Sequence, residues 1–235
     1  FPTVDRENPY ELSSEEKQLV KELRRMYVNN KRLKQHIEFL YAKGSMYCCF
    51  NNNLLYHGCV PLDEDGNFAV IKLNDKNYKG KDYLDYADKM ARKAYFNKNN
   101  QDELDFMWYL WCGEKSPLSG RRIKTFERTF IDDKNAWNEP KNPYYDFYKD
   151  EKTCNMILHD FDMYSPMSHI INGHTPIRVT KGEKPVHANG KLIIIDGGFC
   201  KAYHDTTGIA GYTLIYNSHG MRLVAHQPFE GFENA

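Results

Sequence analysis

The chain has 235 residues, of which 41% are hydrophobic and 14% aromatic, enough for one large or two small hydrophobic cores. Its 32 Lys and Arg residues balance 32 Asp and Glu residues, so the composition gives no sign of a broad nucleic-acid or anionic-membrane surface. No apolar run is long enough to cross a bilayer, and the first residues do not resemble a signal peptide. We therefore expect a cytoplasmic protein.

The first predicted segment, residues 1–45, is a tail followed by a long helical pattern. Ser13-Ser14-Glu15-Glu16 predicts a capping box at the start of the helix. Apolar residues then recur at helical spacing as far as Gly44, which is a plausible helix stop. Asn29-Asn30 would divide the helical pattern into two helices.

The middle of the chain alternates short strands with helices. Residues 46–50 and 53–59 predict a hairpin around an Asn-rich turn, and residues 68–73 a further strand. Helical patterns cover residues 81–95, 101–111 and about 150–161. Residues 112–148 have low periodicity and contain three of the ten prolines. This segment is long for a simple connector, which suggests that it covers a site.

The last third is dominated by strands, which we predict at residues 169–174, 192–196, 211–217 and 221–226. Ile193-Ile194-Ile195 is continuous rather than alternating, as in a strand covered on both faces. The six cysteines have no Cys-x-x-Cys spacing, which favours free thiols in a reducing compartment over a disulfide framework.

Two histidines stand at predicted strand ends, each beside a glycine and shortly before a proline. They are His57 in LLYHGCVP (residues 54–61) and His174 in HIINGHTP (residues 169–176). The adjacent glycine leaves room for an ion or phosphate near the backbone, and two such imidazoles could share one metal ion at a sheet edge. The alternative is that each is a polar cap satisfied by backbone groups, and two imidazoles without carboxylates do not form a good hydrolytic site.

A third strand end carries Asp196 in IIDGGF (residues 194–199). Asp196 could orient a ligand histidine through its second ring nitrogen, or could start an Asx-type turn. The small-residue loop at residues 206–211 could cradle a phosphate, or could simply turn a corner.

Basic residues crowd the segment after WYLW (residues 108–111): Lys115, Arg121, Arg122, Lys124 and Arg128. Beside a metal ion, such a cluster would suit a multiply phosphorylated substrate, because arginine binds phosphate bidentately. The alternative is a solvated face balanced by Glu114 and Glu127.

Together these motifs resemble the class III fructose-1,6-bisphosphatases of Firmicutes-type bacteria, a family of calcineurin-like metallophosphoesterases. The resemblance runs from about residue 19 to residue 226 and includes TTGIAGYTL at residues 206–214. It implies an α+β fold of the α/β/β/α type, in which helices flank a two-layer β-sandwich. It also implies a dinuclear, manganese-dependent centre that hydrolyses the 1-phosphate of fructose 1,6-bisphosphate in gluconeogenesis.

The resemblance also implies roles for individual residues. His57 and His174 match metal ligands that would both bind the same one of the two ions. Our own hypothesis, from the charge pattern, is that basic side chains near Arg121 and Arg122, including Lys115, help to place the sugar bisphosphate. The rim candidates are Phe199, Tyr203 and the loop of residues 208–211, including Gly208.

The chain departs from the family pattern because the motifs that supply most metal ligands are absent. It contains no Gly-Asp dipeptide, and His159-Asp160 lacks the preceding Gly-Asn. The bridging carboxylate, the asparagine ligand and the general-acid histidine are therefore missing. We expect residues 46–235 to be the C-terminal part of a metallophosphoesterase domain, with a helical and loop insertion at about residues 81–165, which needs the N-terminal part for activity.

Two alternatives remain open. The first is another calcineurin-like phosphatase, acting on phosphoproteins or nucleotides. The second is a non-catalytic regulatory or assembly module, built on the N-terminal helices and the aromatic loops of residues 108–148. Homo-oligomers are compatible with either function.

Overall fold

A computed structural model describes residues 2–73, 75–198, 200–208, 211–226, 231 and 233. The chain divides into two compact units, Phe1–Ser45 and Met46–Ala235. Among the described residues, no helix is sufficiently long and apolar to traverse a lipid bilayer.

The first unit contains two helices, α1 (Ser14–Val28) and α2 (Lys31–Lys43). The predicted capping box is confirmed, because Ser13 Oγ accepts from the Glu16 amide at 3.2 Å and the Glu16 carboxylate accepts from the Ser13 amide at 2.8 Å. The predicted break is also confirmed: Asn30 caps α2 by accepting from the Leu33 amide. No residue of either helix is buried.

The second unit contains the remaining named elements. Its strands are β1 (Tyr47–Phe50), β2 (Asn53–Tyr56), β3 (Ile71–Leu73), β4 (Lys76–Tyr78), β5 (His169–Asn172), β6 (Val186–His187), β7 (Leu192–Ile194), β8 (Gly211–Asn217) and β9 (Gly220–His226). Its α-helices are α3 (Gly80–Asn97), α4 (Gln101–Cys112), α5 (Tyr144–Phe147), α6 (Glu151–Asp160) and α7 (His204–Thr207).

The main sheet has five strands in the order β1-β2-β5-β7-β6. Strands β2, β5 and β7 are parallel, whereas the outer strands β1 and β6 run antiparallel to their neighbours. In the register of the parallel strands, Tyr56 is paired with Asn172, which is paired in turn with Ile194. The three parallel strands therefore end level with one another, at the same edge of the sheet.

Apolar side chains bury both faces of the central strands. Leu54, Ile170 and Leu192 are each at most 1% exposed, and the expected two-sided covering of β7 is confirmed because all three of its residues are buried. Buried residues of α3 and α6 complete this core. Mixed sheets with helices give an α+β architecture, which confirms the coarse fold class.

The three parallel strands end earlier than predicted. We expected strands through residues 59, 174 and 196, but they end at Tyr56, Asn172 and Ile194. His174 has a φ of 65°, in the left-handed region that no strand residue adopts. His57, His174 and Asp196 therefore lie on the loops that follow the strands.

Other differences concern short elements. The strand expected at residues 68–73 forms only at β3, where it pairs with β4, a strand that the sequence pattern did not indicate. The low-periodicity segment contains α5 and two short 3-10 turns. Strands β8 and β9 form a separate two-stranded hairpin. All six cysteines are free, as expected.

Candidate metal centre at the strand ends

Backbone hydrogen bonds join the loops that follow the three parallel strands. The Gly173 amide donates to the carbonyl of His57 at 3.2 Å, and the Ile177 amide donates to the carbonyl of Asp196 at 2.9 Å. Because parallel neighbours end at one edge, side chains delivered by these loops share a small region. This edge is the candidate site.

His57 and His174 point at each other. His57 Nε2 lies 3.0 Å from His174 Nδ1, and the two ring centroids are 4.8 Å apart with an interplanar angle of 73°. His57 is exposed and His174 is half-buried. The two histidines, 117 residues apart in sequence, are thus brought together at one sheet edge.

The orientation of His174 is set by a backbone carbonyl. His174 Nε2 lies 2.9 Å from the carbonyl oxygen of Ser119. A carbonyl can only accept, so Nε2 carries the hydrogen and Nδ1 presents its lone pair to His57. Burial lowers the pKa of His174, and the neighbouring His57 lowers it further. The neutral imidazole, which is the form that binds metals, is therefore favoured.

Asn172 also supports the candidate site, although the sequence pattern did not point to this residue. Its side chain is 2% exposed, and its Nδ2 donates toward the carbonyl oxygens of Tyr56, His57 and Gly58 at 3.3, 3.2 and 2.9 Å. The side-chain amide at the end of β5 thereby holds the backbone loop that follows β2 and carries His57. The available signal was a single amide side chain at the end of an apolar strand.

Residues 116–119 of the long low-periodicity segment pack directly on this edge. The Cys59 amide donates to the carbonyl of Pro117 at 2.9 Å, and a Cβ on Gly58 would lie 2.2 Å from the same oxygen. Ser116 Oγ accepts from the amides of Leu118 and Ser119 at 3.1 Å each, which fixes the turn. This turn places the Ser119 carbonyl against His174.

Asp196 lies near the pair without bonding to it. Its carboxylate accepts from the Gly198 amide at 3.1 Å, an Asx-type contact. Its negative charge opposes the lowering of the His174 pKa. Within the described part of the chain, no group of three or more His, Cys, Asp and Glu side chains could hold a metal ion. The described site therefore offers two nitrogen ligands.

The predicted substrate residues are dispersed. Arg121 lies two residues after Ser119, whose carbonyl contacts His174, and its charge contributes to the lowered pKa of His174. Arg122 forms an ion pair with Glu64, and Lys115 Nζ donates to the carbonyl of Val70 at 3.1 Å. In the regions that the structure describes, no hydrogen bond or ion pair links Arg122 or Lys115 to either histidine.

The predicted rim residues are only partly described. Tyr203 is 53% exposed, and Gly208 has a φ of 78° and faces Thr180. Phe199, Ile209 and Ala210 lie outside the described residues. The phosphate-cradle interpretation of this loop stays a prediction.

Comparison with known proteins identifies relatives that match the whole of this chain. A family model for the Firmicute fructose-1,6-bisphosphatase matches residues 1–235. A curated relative named fructose-1,6-bisphosphatase class 3, from Clostridium botulinum strain Langeland, is 53% identical over 240 residues, covering all of this chain and 36% of the relative. A relative of the same class from Clostridium beijerinckii is 52% identical over 239 residues. The chain thus spans about a third of the length of these relatives, and no solved structure matches it.

Proposed function

The chain belongs to the Firmicute fructose-1,6-bisphosphatase family, and we propose that it forms part of a metal-dependent phosphatase that hydrolyses the 1-phosphate of fructose 1,6-bisphosphate. One observation carries the proposal: two imidazole nitrogens, His57 Nε2 and His174 Nδ1, face each other at 3.0 Å beside the ends of parallel strands. The relatives' names supply the substrate.

The spacing of the two nitrogens fits a shared cation. Two nitrogen ligands that each lie about 2.1 Å from one ion are about 3.0–3.4 Å apart at ligand angles between about 90° and tetrahedral. The observed 3.0 Å falls within this range. We propose manganese as the ion; bound in a dinuclear centre, it would polarise the phosphoryl oxygens and supply a hydroxide.

The residues of this chain would hold and orient the ligands. The Ser119 carbonyl keeps the hydrogen of His174 on Nε2, so that Nδ1 is free to bind. In the metal-free pair the hydrogen between the rings then belongs to His57 Nε2. His57 must release that hydrogen, or move it to Nδ1, before Nε2 can act as a ligand.

The remaining ligands are proposed to come from parts of the protein beyond these residues. A hydrolytic centre for manganese needs carboxylate ligands, and the described residues do not supply a cluster of three ligands. The relatives are almost three times as long as the matched region. We therefore propose that the five-stranded sheet is part of a calcineurin-like β-sandwich, and that residues 1–235 alone have no substantial phosphatase activity.

Substrate contacts and partners are proposals of the same kind. All three of these basic residues have partners, Glu139 for Arg121, Glu64 for Arg122 and the Val70 carbonyl for Lys115. Arg121 is the one whose charge also acts on His174. A cytoplasmic location and a homo-oligomeric state stay predictions.

The test uses the complete protein with His57→Ala, His174→Ala and the control His169→Ala. His169 is at the opposite end of β5, where its Nδ1 is bonded to the Gly190 carbonyl. We expect the first two variants to lower manganese affinity and turnover together, by about 100-fold or more, and the control to retain both. Normal manganese occupancy in His174→Ala would refute the metal assignment.

A substrate panel separates the alternative phosphatases. If the complete protein cleaves a phosphopeptide or a nucleotide better than fructose 1,6-bisphosphate, the sugar-bisphosphatase proposal is wrong although the metal assignment can stand. Residues 1–235 alone should show no turnover of the sugar bisphosphate with manganese, and turnover near that of the complete protein would contradict the incomplete site.

The second candidate function is an assembly or regulatory module. It is favoured by the exposed apolar side chains of α1 and α2, including Leu19, Leu23, Met26, Phe39 and Leu40. Metal bound by the complete protein and lost in His174→Ala would count against a purely non-catalytic role. Unchanged self-association after Leu23→Ser and Leu40→Ser would remove the support for assembly.

A further inference from the structure

Arg121 and Lys141 are opposite each other in an isolated antiparallel bridge. The bridge is flanked by hydrogen bonds from the Arg122 amide to Pro140 at 2.8 Å and from the Asn142 amide to Gly120 at 3.0 Å. Residues directly opposite in an antiparallel pair present their side chains on the same face, and like charges in this position are destabilising. Arg121 and Lys141 are therefore held side by side. Arg121 lies two residues after Ser119, whose carbonyl orients His174.

Tyr145 connects this bridge to the histidine edge. Lys141 Nζ lies 4.9 Å from the centre of the Tyr145 ring, and the Tyr145 hydroxyl donates to the Gly58 carbonyl at 3.4 Å. The side chain of Thr175, next to His174, opposes the raising of the Tyr145 pKa by burial. Lys141 is thus on one side of a tyrosine ring whose hydroxyl contacts the His57 loop.

Arg178 adds a third cation from another segment, four residues after His174. Partial desolvation lowers the pKa of Lys141, and the positive charges of Arg121 and Arg178 lower it further. The carboxylate of Glu183 opposes this effect, but it is engaged by Arg178 at 2.5 and 3.1 Å. Arg178 is thus paired with Glu183, and the two cations that the backbone bridge itself places together are Arg121 and Lys141.

The carboxylates in this region do not balance the positive charges. Within the described residues, Lys141 has no carboxylate within ion-pair distance, and Arg121 shares Glu139 with Lys124 and Arg128. One carboxylate thus faces three cations. Such crowding costs stability unless an anion compensates it, and sites that break local rules in this way are expected to be functional.

We propose that Arg121 and Lys141 form a second anion-binding subsite, which holds the phosphate group of a sugar bisphosphate that is not cleaved. The subsite rests on the proposed function: the scissile phosphate lies at the histidine pair, and the second phosphate binds beyond the Tyr145 ring. Guanidinium groups bind phosphate oxygens bidentately, and an ammonium adds a point charge.

The test compares two substrates with the same scissile ester, fructose 1,6-bisphosphate and fructose 1-phosphate, on the complete protein. Lys141→Met should raise KM for the bisphosphate by about 10–100-fold with little change in kcat, because one charged contact to the second phosphate is lost. Kinetics with the monophosphate should not change. Lys141→Arg should restore most of the bisphosphate affinity, and the exposed Lys152→Met on α6 serves as the control.

The outcomes separate the subsite from the catalytic proposal. If Lys141→Met changes KM for both substrates equally, or for neither, the subsite is refuted although the phosphatase assignment stands. If the wild-type protein cleaves neither substrate, the function proposal fails, and calorimetric titration with fructose 1,6-bisphosphate tests the subsite directly. There, binding at least about 10-fold weaker in Lys141→Met than in Lys152→Met supports the subsite, and equal binding overturns it.

Discussion

The two strand ends that carry the histidines have similar sequences, yet the structure uses their glycines differently. Gly58 is packed so tightly that an added Cβ would lie 2.2 Å from the Pro117 carbonyl oxygen, a backbone atom. Gly173 has space, because the atom nearest to an added Cβ is the His57 carbonyl oxygen at 3.7 Å. Neither glycine has a positive φ. Close packing therefore requires a glycine at position 58 but does not require one at position 173.

The histidines differ as well. His57 is exposed, and among the described residues its ring is hydrogen-bonded to the other imidazole alone. His174 is half-buried with both ring nitrogens engaged, and its φ of 65° turns the chain out of the sheet. One end therefore carries an imidazole fixed at both ring nitrogens, and the other carries an imidazole whose loop is held by Asn172 of the neighbouring strand.

The largest effect is expected when Gly58 is replaced by alanine, and Gly173→Ala is the comparison. Gly58→Ala must displace the backbone at Pro117 and should lower the free energy of unfolding by about 3 kcal/mol. Gly173→Ala meets only an ordinary van der Waals contact and should cost less than about 1 kcal/mol. Urea unfolding monitored by circular dichroism measures both. Equal losses in the two variants would contradict the distinction between the strand ends.

A smaller effect is expected at Asn172, which holds the His57 loop. Asn172→Ala leaves three carbonyl groups without their shared donor and should lower the free energy of unfolding by about 2 kcal/mol. Because the loop then no longer fixes His57, manganese affinity of the complete protein should fall about 10-fold. Calorimetric titration with manganese measures the affinity.

The matched control is Asn53→Ala, at the start of β2. Asn53 is also buried, but its Nδ2 donates to the Asn51 carbonyl, away from the histidines. It should lower stability without changing manganese affinity. A similar loss of affinity in both variants would mean that Asn172 acts only through general stability.

The smallest effect concerns the ion pair between Arg178 and Glu183, two residues that follow His174 in the chain. Hydrogen bonding to Arg178 lowers the pKa of Glu183 from 4.5 to about 2. Since the folded-state value is below the unfolded one, the pair stabilises the fold above pH 4.5, and this contribution is lost as the pH falls toward 2. Glu183→Gln should cost about 0.5 kcal/mol at pH 7.

The check is urea unfolding of wild type and Glu183→Gln at pH 7 and at pH 3. The stability difference should shrink at the lower pH, because wild-type Glu183 begins to be protonated there. A difference that grows on acidification would show that the sign of the pKa shift is wrong.

Much of the local structure could be predicted from the sequence because its causes are local. The capping box at Ser13, the break before Asn30 and the hairpin of β1 and β2 follow from side chains within a few residues of one another. The strand boundaries were less predictable, since a turn such as that at His174 depends on contacts with residues far away in the sequence, such as the Ser119 carbonyl. The extra strand β4 had no periodic signal.

The sequence by itself determined that two histidines and an aspartate follow apolar strands, and that the chain shares its motifs with one phosphatase family. Only the tertiary structure decided that β2, β5 and β7 are parallel neighbours, and hence that the two imidazoles meet. It also placed Asn172 against three carbonyls and Lys141 opposite Arg121. These contacts join residues up to 117 positions apart along the chain, and strand pairing over such distances is set by the packing of the whole core rather than by local propensity.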